Sequence, residues 1–590
     1  MRSAYSRLSS TVGLVVGLLA FALVLVGCDS NGGGGNDDMP DETSTITELA
    51  AGQDNLSTLV GALETAELDD DLADEDQTFT VFAPVNSAFE NIDADELTGN
   101  SELLSEVLTY HVVPGQAIAS GDIQDGQTVT TLEGDTLRFS VDGNSVQVNG
   151  ASVTTADLQA SNGVVHVIDE VMLETVDAVD RAVLTPQLST TAAAIQAAEL
   201  AEDDSPLRDQ KLTLFAPVDG SFANLELNTL TSETELLARI LQYHVVPGTR
   251  IASGQISGGE TPGTLEGGTL NIAVDNGTVT VNGIPVTTTD IETENATIHL
   301  IDGVLLQRID VVERASITKG LGTLADAVET AGLGSALKGD GPFTIFAPVD
   351  SAFADYNLDV LTNDTDLLGR VLKYHAISGQ AITSGQLSSG ESPQTLEGGT
   401  ITIDLSGNGV TLNGAATVTV TDIQVRNGVI HLIDDVLLQR TNAVERASVT
   451  PAFSILTDLV GQAGLANALS GPGPDGEDGI TVFAPTNDAF LAALDDNDNG
   501  EVDDSEVPSN AENLLKYHVV DDVFFASDVP TSETPLPTLE GSDVTVVRDG
   551  NAVTLNPNAE ASSVIAPNVD VSNGVIHGLD RILSIPSSSN

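Results

Sequence analysis

The chain has 590 residues, of which 88 are Asp or Glu and only 20 are Lys or Arg, so its formal net charge at pH 7 is −68. This deficit of basic residues weighs against nucleic acid as a partner, because no basic patch is available to displace the counterions of phosphate groups. The apolar fraction of 41% is ordinary for a globular protein and excludes a disordered acidic tail.

The acidic charge is therefore spread over folded domains. Such a surface repels itself at low ionic strength, whereas near 1 M salt the Debye length falls to roughly 3 Å and the repulsion is screened. We predict that the protein comes from a halophile. An acidic surface also suits a cationic or calcium-bridged partner, and the sequence leaves both interpretations open.

The amino terminus has the layout of a bacterial secretion signal. Arg2 and Arg7 precede an apolar stretch that ends in Leu-Val-Gly-Cys28, which resembles a lipobox. Cys28 is the only cysteine, so the chain forms no internal disulfide. We predict a lipoprotein signal peptide at residues 1–27, a lipid on Cys28, and a flexible Gly/Asp tether at residues 28–45. This layout predicts secretion across the inner membrane and lipid anchoring to the cell envelope, on the surface or facing the periplasm.

The rest of the chain is one module written four times. The first recurring motif of each copy is Thr-x-Phe-Ala-Pro, which predicts a buried strand that ends at proline and leads into a short helix. A Tyr-His pair, a Thr-Leu-Glu-Gly motif, alternating residues typical of hairpin strands and a strand with a second histidine then follow. A period this long lets each copy hold its own hydrophobic core. The expected domains are residues 46–174, 175–307, 308–440 and 441–585.

These motifs resemble those of the fasciclin (FAS1) domain family. In the first copy the resemblance is carried by Thr80-Val-Phe-Ala-Pro84 with Phe89, and by Tyr110-His111. The second copy departs locally, with Glu294-Asn-Ala-Thr-Ile-His299 where the others have Asn-Gly-Val. The resemblance implies an α+β fold of four tandem domains, each a twisted β wedge with small flanking helices. It also implies a general role in adhesion outside the cell.

Within this family, the Tyr-His segment and a nearby Asp-Ile pair are linked to receptor adhesion. The matching Tyr-His pairs are Tyr110-His111, Tyr243-His244, Tyr374-His375 and Tyr517-His518, and the matching Asp-Ile pairs are Asp290-Ile291 and Asp422-Ile423. Aliphatic residues surround each histidine. We therefore favour buried, hydrogen-bonded core histidines over direct contact with a partner.

The fourth copy carries an insertion that fits a twelve-residue calcium loop. Its expected oxygen ligands are the side chains of Asp495, Asn497, Asn499, Asp503 and Glu506, together with the backbone carbonyl of Glu501. Gly500 falls where the loop must turn sharply, and Val502 falls at the apolar eighth position. We predict a structural Ca²⁺ site at residues 495–506 of the fourth domain. The alternative is an Asp-rich surface loop that matches the pattern by chance.

Short junctions of mixed charged and apolar residues connect the copies. They read Val179-Asp-Arg-Ala182, Val312-Glu-Arg-Ala315 and Val444-Glu-Arg-Ala447. Each leads straight into a helix-like stretch without a Pro/Gly/Ser linker. This recurrence predicts a stiff, slightly twisted rod of domains.

No enzyme signature is present, neither a zinc-protease motif, a phosphate-binding loop nor a nucleophile elbow, so we expect no catalytic activity. We favour a multivalent adhesion or matrix-type protein that binds an unknown surface protein or polysaccharide. The alternatives are a structural spacer that stabilises the envelope, and a carrier for a small apolar ligand. A carrier would have a pocket in one copy that the others lack.

Overall fold

The computed structural model describes residues 44–406, 409–471, 479–558 and 560–586. Cys28, the expected signal peptide and all but the end of the expected tether lie outside these residues. The chain forms four α+β domains of the same architecture, as the sequence predicted. No helix in the described ranges is both long enough and apolar enough to cross a membrane.

The helices and strands of each domain follow one order. Domain one contains α1 Ile46–Ala51, α2 Ser57–Thr65, β1 Phe79–Pro84, α3 Ala94–Gly99, α4 Ser101–Tyr110, β2 Val112–Pro114, β3 Thr128–Thr130, β4 Thr136–Asp142, β5 Ser145–Val148, β6 Ala151–Ala160 and β7 Gly163–Ile168. Domain two contains α5 Ala178–Val183, α6 Ser189–Ala197, α7 Pro206–Asp209, β8 Leu212–Pro217, α8 Leu227–Ser232, α9 Thr234–Tyr243, β9 Val245–Pro247, β10 Ile272–Asp275, β11 Thr278–Val281, β12 Ile284–Glu292 and β13 Ala296–Ile301.

The third and fourth domains repeat this order. Domain three contains α10 Val311–Ser316, α11 Gly322–Thr330, α12 Gly334–Leu337, β14 Phe343–Pro348, α13 Leu358–Asn363, α14 Thr365–Tyr374, β15 Ala376–Ser378, β16 Ile403–Ser406, β17 Gly409–Leu412, β18 Ala416–Val425 and β19 Gly428–Ile433. Domain four contains α15 Ala443–Val449, α16 Ser454–Gln462, α17 Ala466–Ser470, β20 Ile480–Pro485, α18 Asn487–Leu494, α19 Ala511–Tyr517, β21 Val519–Val520, β22 Thr534–Pro537, β23 Asp543–Asp549, β24 Ala552–Leu555, β25 Ser562–Val571 and β26 Gly574–Leu579.

Short 3₁₀ helices connect several of these elements. They span Asp54–Leu56, Asp71–Ala73, Asn86–Asn91, Ser120–Asp122, Pro186–Leu188, Asp219–Phe222, Ser253–Gln255, Asp350–Phe353, Ser384–Gln386 and Pro451–Phe453. The segment Asn86–Asn91 directly follows β1, as the proline at the end of that strand predicted.

One central strand pair organises each sheet. In domain one the strand order is β2-β1-β7-β6-β5-β4-β3, and only β1 and β7 run parallel. Every residue of β1 and β7 is buried, which is why both read as continuous apolar runs. The hairpin strand β4 is exposed on one face, and its sequence alternates accordingly.

The sheet of domain one separates two hydrophobic cores. The larger core lies on the side of the helices and contains residues such as Leu59, Leu104 and Val165. The smaller core lies inside the curl of the hairpin strands and contains Phe82 and Phe139. The other three domains have the same pair of cores.

Candidate functional site

The histidine of each Tyr-His pair lies in the domain interior. His111 is 1% exposed, and its Nδ1 lies 2.7 Å from the carbonyl oxygen of Val107. The backbone N–H of Met172 donates to Nε2 at 3.0 Å, so Nδ1 carries the proton of a neutral ring. Burial lowers the pKa of His111 to about 4, although the bond to Val107 acts in the opposite direction. His244, His375 and His518 make the same two bonds.

The tyrosine of each pair is buried beside its histidine. Tyr110 is 2% exposed, and its hydroxyl accepts a hydrogen bond of 2.7 Å from Nδ2 of Asn149. Burial raises the pKa of Tyr110 far above its usual range. The other members of the four pairs, Tyr243, His244, Tyr374, His375, Tyr517 and His518, are likewise no more than 3% exposed. These side chains are therefore packed in the domain interior.

The second histidine of each module stacks on the phenylalanine of the first motif. The rings of Phe82 and His166 lie 5.5 Å apart with an interplanar angle of 24°. Nε2 of His166 lies 2.8 Å from the carbonyl oxygen of Ile118, and Nδ1 accepts from the backbone N–H of Asp157 at 3.3 Å. The same stacking recurs between Phe215 and His299, Phe346 and His431, and Phe483 and His577.

Asp157 stands at a β-bulge in β6, with φ of +60°. Its carboxylate accepts from the backbone N–H of Ser120 at 2.7 Å and from the Ser120 hydroxyl at 2.5 Å. Burial raises the pKa of Asp157, but these bonds and nearby His166 outweigh burial and hold the pKa below its usual range. Asp290 and Asp422, the aspartates of the two Asp-Ile pairs, make the same bonds to Ser253 and Ser384. The aspartate at this position thus fastens a loop to the bulged strand in domains one to three.

A surface feature that the sequence did not single out as a site is the Thr-Leu-Glu-Gly turn. The buried Thr131 fixes the turn through its hydroxyl, which donates to the carbonyl oxygen of Asp135 at 3.1 Å. Leu132 is 43% exposed, yet its N–H donates to the carbonyl oxygen of Val112 at 2.7 Å. The turn therefore holds an exposed leucine directly beside the buried Tyr-His segment.

The other three domains hold this turn in the same way. The leucine N–H pairs with β9, β15 or β21 in each case, and the leucines are Leu265, Leu396 and Leu539. Leu396 is 38% exposed, while Leu265 and Leu539 are partly buried. Fourfold recurrence of an apolar residue in a polar turn was the signal in the sequence that pointed to this surface.

The insertion of domain four is a loop whose expected ligands converge. Nδ2 of Asn497 lies 2.9 Å from the Asp503 carboxylate and 3.0 Å from that of Glu506, and Nδ2 of Asn499 lies 3.0 Å from Asp503. Asp495 accepts from the N–H groups of Asn499 and Gly500 at 3.1 and 2.9 Å. An amide carries an oxygen and an NH₂ on one carbon, so either atom can face this centre.

The backbone of the loop also has the expected shape. Gly500 has φ of +81°, the left-handed conformation that favours glycine at a sharp turn. Val502 packs against the larger core of domain four. Among the residues that the structure describes, no cluster of three or more His, Cys, Asp or Glu side chains has the arrangement of a metal site. The expected ligand set contains only three carboxylates, those of Asp495, Asp503 and Glu506, and its other oxygens come from two side-chain amides and the backbone.

The comparison with known families identifies the chain. The Fasciclin domain family matches residues 54–174, 186–307, 319–439 and 451–586, which together cover most of the sequence. The four Thr-x-Phe-Ala-Pro strands and the eight buried histidines fall inside these matches. The chain therefore belongs to the fasciclin domain family and contains four tandem copies of the domain.

Individual relatives come from animals and bacteria. Human periostin is 30% identical over 522 residues, a match that covers 86% of this chain and 60% of periostin. Transforming growth factor-beta-induced protein ig-h3 from pig is 28% identical over 530 residues, covering 87% of this chain and 73% of the relative. Immunogenic protein MPB70 of Mycobacterium bovis is 35% identical over 136 residues, covering 22% of this chain and 63% of that protein.

Among solved structures, a match is found to a FAS1 domain pair from the insect cell adhesion molecule Fasciclin I. It has 18% sequence identity and a TM-score of 0.24, and it covers 46% of this chain and 96% of the domain pair.

Proposed function

We propose that this protein is a multivalent adhesion or matrix-type binding protein without catalytic activity. The observation that carries the proposal is the fourfold repetition of one domain, in which the same Thr-Leu-Glu-Gly turn is held by the same backbone hydrogen bond each time. Membership of the fasciclin domain family supports it. Four linked weak sites gain roughly a hundredfold or more in avidity over one site. The partner is a surface protein or a polysaccharide, not a nucleic acid.

The proposed location is the outside of the cell. We propose that a lipid on Cys28, in the part of the chain that the structure does not describe, anchors the protein to the envelope after secretion. Because the net charge is −68, we expect the protein to function in a salt-rich medium, where the electrostatic repulsion between its domains is screened. Only Leu132 and Leu396 of the four turn leucines are well exposed, so domains one and three are the first candidates for contact.

The test is binding of labelled residues 29–590 to cells of the source organism that lack the protein, in 1 M salt. We expect saturable binding that falls at least tenfold in the Leu132→Ser/Leu396→Ser variant. Leu405→Ser removes a leucine that is 44% exposed outside the turns, and this control is expected to bind normally. Absence of saturable binding by the unmodified protein would favour the structural spacer instead. Equal binding by all variants would place the contact surface elsewhere.

We further propose that residues 495–506 bind Ca²⁺ as a structural ion. The convergence of Asn497, Asp503 and Glu506 supports this proposal, as do the left-handed Gly500 and the packed Val502. Calcium takes six to eight hard oxygen ligands in a flexible cage, which this loop can supply. Bound Ca²⁺ would replace the amide contacts to Asp503 and hold the insertion against the core.

Thermal unfolding with calcium and with chelator tests the site. An ion at about 100 times its Kd stabilises the folded domain by about 2.7 kcal/mol. We expect calcium to raise the melting temperature of domain four, and Asp495→Ala/Glu506→Ala to abolish the rise. Asp504→Ala removes an exposed acid at a position that is not a ligand, and this control retains the rise. Identical melting of the unmodified protein in calcium and in chelator would refute the site.

A further inference from the structure

The junction between domains one and two forms an open cleft with a strongly acidic wall. The cleft has a volume of about 840 Å³, and its wall comes from α4, α5, α7 and the Thr-Leu-Glu-Gly turn of domain one. Nine of the thirteen residues that line it are Asp or Glu. Arg208 is the one Lys or Arg among these lining residues, and it already pairs with Asp177 at 2.5 Å and Asp180 at 2.9 Å. The wall therefore carries a large excess of negative charge.

Arginines of the chain itself occupy the equivalent place in domain two. Nη1 of Arg239 lies 2.8 Å from Oε1 of Glu313, and Nε of Arg308 lies 2.9 Å from Oε2 of Glu266. The stem of Arg308 packs over Gly268, where a Cβ atom would lie 2.9 Å from its Cδ. The same arrangement recurs in domain three with Arg370, Arg440 and Gly399. Two guanidinium groups thus neutralise this surface in each of these domains.

Domain one keeps the acidic partners and lacks both arginines. The carboxylates that face the arginines in domain two have counterparts in the wall of the cleft, Glu133 and Asp180. The two arginine positions, however, are occupied by Glu106 and Thr175, and the glycine position is occupied by Asp135. All three of these residues also line the cleft. The cleft of the first junction is therefore the place where the two guanidinium groups would stand.

A buried hydroxyl in the wall of the cleft also lacks a partner. Thr175 is 2% exposed, and within the described residues its Oγ1 has no hydrogen-bond partner. A ligand that donates a hydrogen bond to this oxygen would remove the penalty of leaving it unpaired. Burial, together with the charges of neighbouring carboxylates, raises the pKa of Glu106 to about 7. A cation that donates hydrogen bonds would therefore relieve both features of the wall.

We propose that this cleft binds the guanidinium groups of an arginine-containing segment of a partner protein, in the place that the chain's own arginines occupy in domains two and three. A guanidinium offers five N–H donors in a planar fork, which suits several carboxylates and a hydroxyl at once. The volume of the cleft lies within the range of roughly 300–1,000 Å³ that holds drug-sized ligands, so it has room for more than one side chain.

The cleft continues the surface of the adhesion proposal. Glu133 belongs to the Thr-Leu-Glu-Gly turn and directly follows Leu132, which is 43% exposed. A partner segment that lies over Leu132 would therefore place its arginines in the cleft. The inference rests on the proposed adhesion function and adds the chemistry of the partner.

The experiment is fluorescence anisotropy of a labelled peptide with two neighbouring arginines, titrated with the full chain in 1 M salt. The Debye length is then about 3 Å, so the overall negative charge does not retain the peptide without direct contacts. We expect saturable binding of one peptide per chain. A peptide with citrulline in place of both arginines keeps their shape without the charge and is expected to bind at least tenfold more weakly. Arginine amide, as a competitor, is expected to be at least tenfold weaker than the unlabelled peptide.

Variants locate the binding in the cleft. Glu106→Arg/Thr175→Arg supplies the missing arginines from within the chain and is expected to weaken peptide binding at least tenfold. Glu90→Arg/Thr98→Arg makes the same change in net charge on the exposed surface of domain one and is expected to bind normally. Thr175→Val removes only the unpaired hydroxyl. It is expected to weaken binding at least threefold without lowering the melting temperature, which separates a lost ligand contact from a damaged fold.

The outcomes distinguish this inference from the adhesion proposal. No saturable binding of the peptide, equal binding of the arginine and citrulline peptides, or equal binding by the filled variant and its control would overturn the inference. Arginine amide as potent as the peptide would assign the cleft to a small guanidinium compound instead of a partner protein. Failure of the peptide assay together with saturable binding to cells would leave the adhesion function standing and remove only the role of the cleft.

Discussion

At the scale of single residues, the histidine after each tyrosine makes the folded protein less stable at acidic pH. Burial lowers the pKa of His111, His244, His375 and His518 to about 4 in each domain. An unfolded histidine has a pKa near 6.5, so the unfolded chain binds more protons between pH 6.5 and 4. The contribution of each histidine to the free energy of unfolding is therefore fully present above pH 6.5 and is lost as the pH falls towards 4. It amounts to about 3 kcal/mol per domain.

We predict that the four imidazoles do not titrate above pH 5 in the folded protein. Their C2 proton resonances should keep constant chemical shifts from pH 8 to 5 in 1 M salt, where repulsion among the carboxylates is screened. The same resonances in urea serve as the control and should titrate near pH 6.5. A folded-state resonance of one of these histidines that moves with a midpoint near 6.5 would contradict the prediction.

At the scale of elements, one buried asparagine near the end of each domain fixes the first residue of that domain's first helix. Oδ1 of Asn427 accepts from the N–H of Val311, the first residue of α10, at 3.0 Å. Its Nδ2 donates to the carbonyl oxygens of Leu337 and Gly339, both at 2.8 Å. Asn162, Asn295 and Asn573 hold α1, α5 and α15 in the same way. One amide thus joins the first helix of a domain to its central strands.

We predict that Asn427→Ala destabilises domain three by about 2–4 kcal/mol, because it leaves three buried backbone groups without partners. Hydrogen exchange is the suitable measurement, since four domains do not unfold in one step. The amides of α10 should lose protection, while those of domain one keep it. Asn363→Ala changes an exposed asparagine of the same domain and is expected to leave the protection unchanged.

The sequence predicts many of the strands and helices because the same motifs recur in all four copies of the domain. The strand that ends at Pro84, the hairpins after it and the burial of the histidines all follow from local apolar patterns. The role of Asn295 does not, since the second copy has Ala296 where the others have glycine, and only the contacts reveal the common function of the asparagine.

At the scale of the whole molecule, each junction helix is shared by two domains. Ala178 and Val179 of α5 belong to the core of domain two, whereas Leu184 directly after α5 belongs to the core of domain one. Ile317 after α10 and Val449 at the end of α15 lie in the same way in the preceding domains. Rotation about a junction would therefore disturb a core. This supports the predicted stiff rod, which small-angle scattering would test.

The first junction differs from the others in charge. Arg239 and Arg370 bridge to Glu313 and Glu445 of the next junction helix, at 2.8 and 2.5 Å. Arg308 and Arg440 pair in turn with the turn glutamates Glu266 and Glu397, both at 2.9 Å. In domain one these two arginine positions are Glu106 and Thr175. Glu106 instead lines an acidic cleft with Glu133, Asp177, Asp180, Glu294 and one cation, Arg208.

This cleft makes the first junction sensitive to pH. Burial, followed by the charges of Asp180, Glu133, Glu294 and Asp177, raises the pKa of Glu106 to about 7. We call the junction closed when Glu106 lies in this cleft, as in the structure, and open when the two domains have moved apart. Because its pKa is raised in the cleft, Glu106 holds a proton in the closed junction that it would release in an open one. The closed arrangement is therefore favoured below pH 7 and weakens as the pH rises through 7. Arg208 compensates only part of the repulsion, because it already pairs with Asp177 and Asp180.

We predict that Glu106→Arg/Thr175→Arg stiffens the first junction by supplying the two bridges found in domains two and three. Spin labels on exposed positions of domains one and two should give a broader distance distribution at pH 8 than at pH 6 in 0.1 M salt. The variant should give the narrow distribution at both pH values. Glu90→Arg/Thr98→Arg makes the same change in net charge on the exposed surface of domain one, and it should behave like the unmodified protein. If the distribution is equally narrow at both pH values without any substitution, the bridges are dispensable and the shared helix alone holds the junction.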